Sequence, residues 1–263
     1  MSEEKKHQGV VSGNPNSPFK VTYLSDVGAG EAFVSRLSLG LTEVFDAMFV
    51  QSHEDTLTAQ QIKHELNDLV MECLIPAFLS LRELRQSVGN EEIPVLTKLK
   101  HFNDMYRTLW SAYKDRMQTI AKMLGFNIGF LFENDQKFEK GCAQFLTDNP
   151  RIHPELHDML KWDRDSWQNR MSKLRNDVLE HKTLKLEDFP EFYTLNSAEI
   201  AFDNVWMAIE DILASLAASK FSEQFCLTEI PNTRNHTALK RFGFGFAEGV
   251  STQEKLKPTN DLP

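Results

Sequence analysis

Three cysteines in 263 residues, Cys73, Cys142 and Cys226, stand far apart with no CxxC pair. That excludes a disulfide framework and a cysteine zinc site, and it fits reduced thiols. No long apolar run is present either: the greasiest stretch, "LVMECLIPAFLSL", is too short to span a bilayer and carries Glu72. The opening "MSEEKKHQGVVSGNPNSPFK" lacks the apolar centre of a signal peptide. A cytoplasmic protein with no membrane partner is expected. Positive charge is also in deficit, with 29 Lys and Arg against 38 Asp and Glu and a net charge of -9. Such a chain does not coat nucleic acid by bulk electrostatics, so any contact with RNA must be local. No segment alternates apolar and polar residues long enough to argue a buried sheet.

What remains is helical periodicity, and 41% hydrophobic residues supply a core. Residues 1–25 are polar and rich in Gly, Ser, Asn and Pro, which reads as a flexible arm. From about residue 31, Phe33, Leu37, Leu41, Val44, Phe45 and Met48 recur every three or four positions and predict a first helix. A second follows from Thr58 to about Val88, with Pro76 inside it removing a backbone donor and bending the rod. A third, about Val95 to Leu124, packs through Leu99, Phe102, Tyr106, Leu109, Trp110, Tyr113, Met117 and Ile120, and Gly125 stops it.

A fourth helix covers about Ile128 to Leu146. A fifth starts near Pro154 and runs to about Lys182, with Leu156, Leu160, Trp167, Met171, Leu174 and Val178 inward. Ser197 is expected to cap a sixth, whose core is Ile200, Val205, Ile209, Ile212, Leu213 and Leu216. The expectation is therefore an all-α bundle of about six helices over residues 26–226, followed by an irregular tail at 227–263.

The chemistry-bearing stretch is "KLRNDVLEHKTL", at the end of the fifth helix. Six positions separate Arg175 from His181, about 120° of arc and roughly 9 Å of rise on a helix. Asp177 lies four residues before His181 and can hold its imidazole in one tautomer, while Asn176 adds an amide beside the guanidinium. A guanidinium offers forked donors to phosphate oxygens and an imidazole moves protons near neutral pH without a metal. The surroundings are locally basic: Lys161, Arg164, Arg170, Lys173, Arg175, Lys182 and Lys185 face Asp163, Asp165, Asp177 and Glu180. Lys173 and Lys182 would meet a nucleic-acid backbone, and Trp162 could stack a base.

Arg175, Asn176 and His181 together resemble the hallmark of the HEPN superfamily, an arginine, commonly followed by a polar residue such as asparagine, with a histidine four to six positions on. The resemblance covers about residues 95–222. It implies a helical bundle, no cofactor and no metal, a homodimer with two motifs facing one cleft, and metal-independent endoribonuclease activity. Catalysis would rest on Arg175, Asn176 and His181, with Asp177 in support. It further implies a toxin or defence component whose partners are RNA and an antitoxin or other protein. The alternative is a non-catalytic helical module that binds nucleotide, RNA or a protein through the same strip.

Two other patterns carry less. His153 and His157 are spaced as two ligands on one helix face, but Pro154 sets His153 at the cap and no third ligand is identifiable. They read as surface histidines. "KRFGFGFAEG" has the Gly-aromatic rhythm of an RNA-recognition strand, yet Phe242 stands where the leading basic residue belongs and Gly249 where the last aromatic would be. Its phenylalanines are expected to dock on the bundle or on a second subunit.

Overall fold

The computed structural model describes residues 56–87, 90, 92–152, 154–176, 190–221, 225–229 and 242–246. Among these the chain is mostly helical, with five helical rods. The predicted first helix, from about residue 31 through Met48, and the flexible arm lie outside the described residues, as do the last residues of the predicted fifth helix.

The first rod is α1 (Thr56–Asp68), a wide π-helical turn (Leu69–Leu74) and α2 (Ile75–Ser87). The wide turn answers the proline. Pro76 has no N–H to give and its ring crowds the carbonyl one turn back, so the chain inserts an extra residue there and the Ile75 N–H reaches Val70 O. The second rod repeats the device: α3 (Val95–Ser111), a π-helical turn (Ala112–Arg116) and α4 (Met117–Met123). Phe102, Tyr106, Leu109, Trp110, Tyr113, Met117 and Ile120 are all buried as the periodicity requires, and Leu99 is half-buried.

Gly125 ends this rod at φ 92°, in the left-handed region that glycine adopts without strain. The Phe126 N–H bonds Ala121 O at 2.8 Å and the Gly125 N–H bonds Lys122 O at 3.0 Å, the pair of bonds that closes a Schellman end. A short 3-10 turn (Gly129–Phe132) leads to α5 (Asp135–Asp148), whose first turn is capped by Asn134 accepting from the Lys137 N–H at 3.1 Å. Inside α5, a Cβ placed on Gly141 would lie 2.9 Å from Phe130 Cγ, closer than side chains tolerate. Gly141→Ala is therefore expected to lower the unfolding free energy by roughly 1–3 kcal/mol through overpacking, read as a lower urea midpoint at an unchanged slope.

The fourth rod holds α6 (Glu155–Asp163), a π-helical turn (Arg164–Gln168) and α7 (Asn169–Leu174), and the fifth is α8 (Leu195–Phe221). Helix α8 runs through the middle of the bundle, touching α2, α3, α4 and α6. Accordingly it buries Ala198, Phe202, Val205, Trp206, Ile209, Ile212, Leu213 and Leu216. Ile200 departs from expectation: it is 52% exposed. At 100° per residue it stands about 140° from Val205, on the opposite side of the helix from the core face. The cap is also one turn earlier than expected. Thr194, not Ser197, accepts the Ser197 N–H at 3.1 Å.

The C-terminal stretch is not wholly irregular. Strands β1 (Phe225–Glu229) and β2 (Phe242–Phe246) pair antiparallel, with Phe225 opposite Phe246 and Glu229 opposite Phe242, and β1 lies against α8. The phenylalanine-glycine run thus belongs to a two-stranded ribbon beside the bundle.

Candidate functional site

The motif helix is held in place from its middle. At the π-helical turn, Arg164 is only 5% exposed. Its guanidinium donates to Asp135 Oδ1 at 2.9 Å, to Leu131 O at 3.1 Å and to Glu133 O, and it lies over the Phe138 ring at 4.8 Å. Gln168, also buried, donates to the same Leu131 carbonyl and accepts from the Tyr113 hydroxyl at 3.2 Å. Trp167 gives its indole N–H to Asp163 Oδ1 at 2.9 Å and meets Tyr113 edge-on at 4.9 Å between centroids. Burial pushes the Tyr113 phenol well above its ordinary pKa, so it remains a donor throughout the usual pH range. These contacts fix the rotation of the helix that ends in the motif. Leu156, Leu160, Met171 and Leu174 bury its inner face as expected.

At the last described residues of that helix, Arg175 and Asn176 are half-buried neighbours, and Arg175 Nη1 donates to Asn176 Oδ1 at 2.9 Å. The arginine and the amide expected to work together are in contact. Lys173 is exposed, and Trp162 is 61% exposed. Asp177, His181, Val178 and Lys182 lie outside the described residues.

The basic strip needs correction. Arg164 offers no donor to a ligand at the surface, because its guanidinium is buried and bonded to Asp135 and to the Leu131 and Glu133 carbonyls. Lys161 Nζ pairs with Glu139 at 3.1 Å and Arg170 Nη2 with Glu191 at 3.3 Å. Counting cations along a sequence overstates a patch whose partners come from other helices.

His157 likewise has partners. Its Nδ1 lies 3.2 Å from Asp158 Oδ1 and its Nε2 lies 3.2 Å from Glu139 Oε2. Asp158 and then Glu139 raise its pKa above the usual histidine value, while Lys161 and then His157 lower that of Glu139. Carboxylates on both sides of the imidazole favour its protonated form. Among the described residues, no three His, Cys, Asp or Glu side chains converge as a metal site. His153 lies outside them.

One feature was not among the expectations from the sequence. A cleft of about 250 Å³ opens between the motif helix and α8, and the short 3-10 turn Pro190–Phe192 forms part of its wall. Its buried lining includes Tyr106, Trp167 and Met171, and its exposed edge includes Arg170, Glu191 and Ile200. The Tyr106 hydroxyl donates to Phe192 O at 2.8 Å, and the Arg170 guanidinium lies over the Phe192 ring at 5.5 Å, so the wall is tied to both neighbouring rods. Only Ile200, misassigned to the core, hinted at it. An isoleucine out of phase with the buried face of its helix was the legible sign.

Compared with protein-family models, with curated proteins and with solved structures, the chain matches none. No helix among the described residues is long and apolar enough to cross a membrane.

Proposed function

We propose that the protein is a metal-independent endoribonuclease of HEPN type that works as a homodimer. The observation that carries this reading is the Arg175–Asn176 contact at the last described residues of the motif helix, six and five residues before His181 in the sequence. A largely helical bundle with a further helix after the motif is consistent with it. In the reaction, the 2'-hydroxyl of the substrate attacks the adjacent phosphorus. The 2'-O–P bond forms, the 5'-O–P bond breaks, one base takes the hydroxyl proton and one acid protonates the departing 5'-oxygen. Two copies of His181, one from each protomer, supply the base and the acid. Arg175 offers its forked donors to the charge gathering on the phosphoryl oxygens, and Asn176, bonded to that guanidinium, orients it. A toxin or defence role, with an antitoxin or another protein as partner, belongs to the same reading.

The decisive assay is a labelled RNA and the DNA of the same sequence, incubated with excess EDTA. RNA alone should be cut, with chelator present, leaving a 2',3'-cyclic phosphate and a 5'-hydroxyl, because deoxyribose lacks the nucleophile. Cutting that requires a divalent ion, or cutting of the DNA, removes the mechanism.

A further inference from the structure

We infer that the cleft between the motif helix and α8 is a binding pocket for a single amino-bearing nucleobase, with Glu191 and Asn204 reading its edge. The choice of a nucleobase rests on the ribonuclease reading; the existence and polarity of the pocket do not. About 250 Å³ falls just below the roughly 300–1,000 Å³ of sites for drug-sized ligands, so the space suits one planar ring system and not a whole nucleotide. Its buried lining, Tyr106, Trp167 and Met171, is apolar and aromatic, which favours a flat ring.

The polar lining is Ser166, Arg170, Glu191, Ser197 and Asn204, and the two serine hydroxyls are bonded to Asp163 O and to Thr194. Asn204 lines the cleft half-buried and its side chain makes no hydrogen bond to another described residue, so its amide presents both a donor and an acceptor to an incoming edge. Glu191 is acceptor-only when ionised, and carboxylates accept from exocyclic amino groups such as cytosine N4. Cytosine, adenine and guanine each present such an amino group. Uracil does not, and its carbonyl oxygens would face the carboxylate. Arg170 lies 3.3 Å from Glu191 and over the Phe192 ring at 5.5 Å, so its guanidinium borders the cleft and offers a surface of the kind on which unstacked bases of single-stranded RNA rest.

Position supports the same occupant. Met171 lines the cleft, and Arg175 stands four residues on along the same helix, a rise of about 6 Å. A base seated in the cleft brings its own or the neighbouring phosphate toward Arg175. The pocket would therefore select which phosphodiester is presented.

The test is isothermal titration of the full-length protein with the 5'-monophosphates of cytidine, adenosine, guanosine and uridine. At least one amino-bearing nucleotide should bind ten-fold or more tightly than the uridine nucleotide. Asn204→Ala should weaken that binding at least ten-fold, and Ala201→Trp, which fills the cleft, should abolish it. Glu191→Gln should narrow or reverse the discrimination against uridine, because the glutamine amide can donate to a uracil oxygen; a merely structural role for Glu191 would weaken all four nucleotides alike. Circular dichroism checks that each variant folds, and Asn204→Asp substitutes if Asn204→Ala does not.

A short single-stranded oligonucleotide that displaces the bound monophosphate and binds more tightly identifies a strand as the natural source. A monophosphate that no oligonucleotide displaces identifies a free nucleotide, and both results support the pocket. Four equal affinities, or binding untouched by Asn204→Ala, Glu191→Gln and Ala201→Trp, overturns it. RNA cleavage whose rate and base preference survive all three variants overturns the pocket and leaves the ribonuclease intact. Nucleotide binding that is lost in these variants of a chain that cuts nothing supports the pocket and removes the ribonuclease.

Discussion

Arg175→Ala and His181→Ala are each expected to lower RNA cleavage by about 100-fold or more while the helical circular dichroism and the melting temperature stay close to those of the parent. The size follows from the two roles. Removing a preorganised donor from developing oxyanion charge costs about 100- to 1,000-fold, and removing a general acid or base costs about 100- to 10,000-fold. For Arg175, half-buried beside Asn176, the indifference of stability follows from the proposed role, which requires its guanidinium to face the substrate. For His181 it follows from the proposed role, which requires the imidazole to face solvent and substrate. Substitutions at sites of this kind usually shift stability by less than about 0.5 kcal/mol. Single-turnover rates and thermal melts on the same preparations separate the outcomes. A variant that unfolds shows that the motif holds the bundle together and does no chemistry.

Arg164→Ala should behave in the opposite way, losing roughly 2–5 kcal/mol of stability, from buried carbonyls left without a donor and from the space left behind. Most of that cost does not come from the ion pair. Asp135 is 84% exposed, and a carboxylate in water gives up little when its partner leaves. It comes from the Leu131 and Glu133 carbonyls losing a charged donor, and from the space left beside the Phe138 ring. Gln168 still reaches the Leu131 carbonyl, which places the loss toward the lower end of the range. Arg170→Ala is the matched control: the same residue type six positions on, 59% exposed and paired only at the surface, with an expected change under about 0.5 kcal/mol. Urea midpoints of the two variants give the comparison directly.

That contrast explains much of what was legible in the sequence. The second and third helices, the Gly125 stop and the buried face from Phe102 to Ile120 follow from local rules: periodicity of 3.6 residues and the freedom of glycine at positive φ. Arg164 and Arg170 obey no such rule. Both read as members of one basic strip, and what separates them is the Leu131–Asp135 segment, about thirty residues earlier in the chain, which receives one and not the other. The strands were missed for a related reason. "FCLTE" does not alternate, "FGFGF" alternates phenylalanine with glycine and not with polar residues, and the two are defined by each other across an interval of twelve residues. The Arg175–Asn176 contact was readable because the two are adjacent, whereas the cleft was hidden because it is assembled from three separate parts of the chain.

The wide turn at Arg164–Gln168 has a consequence for tracing descent. A π-helical turn is an α-helix that has taken in one more residue without breaking. A cousin of this chain that lost that single residue would keep the same rods and the same apolar stripe up to Asp163, yet every position beyond it would be turned by about 100°. Arginine and histidine would keep their mutual spacing while facing a different neighbour. A gap one residue long, in a region where alignments place gaps freely, would then mark the difference between two surfaces and not a trivial length variant.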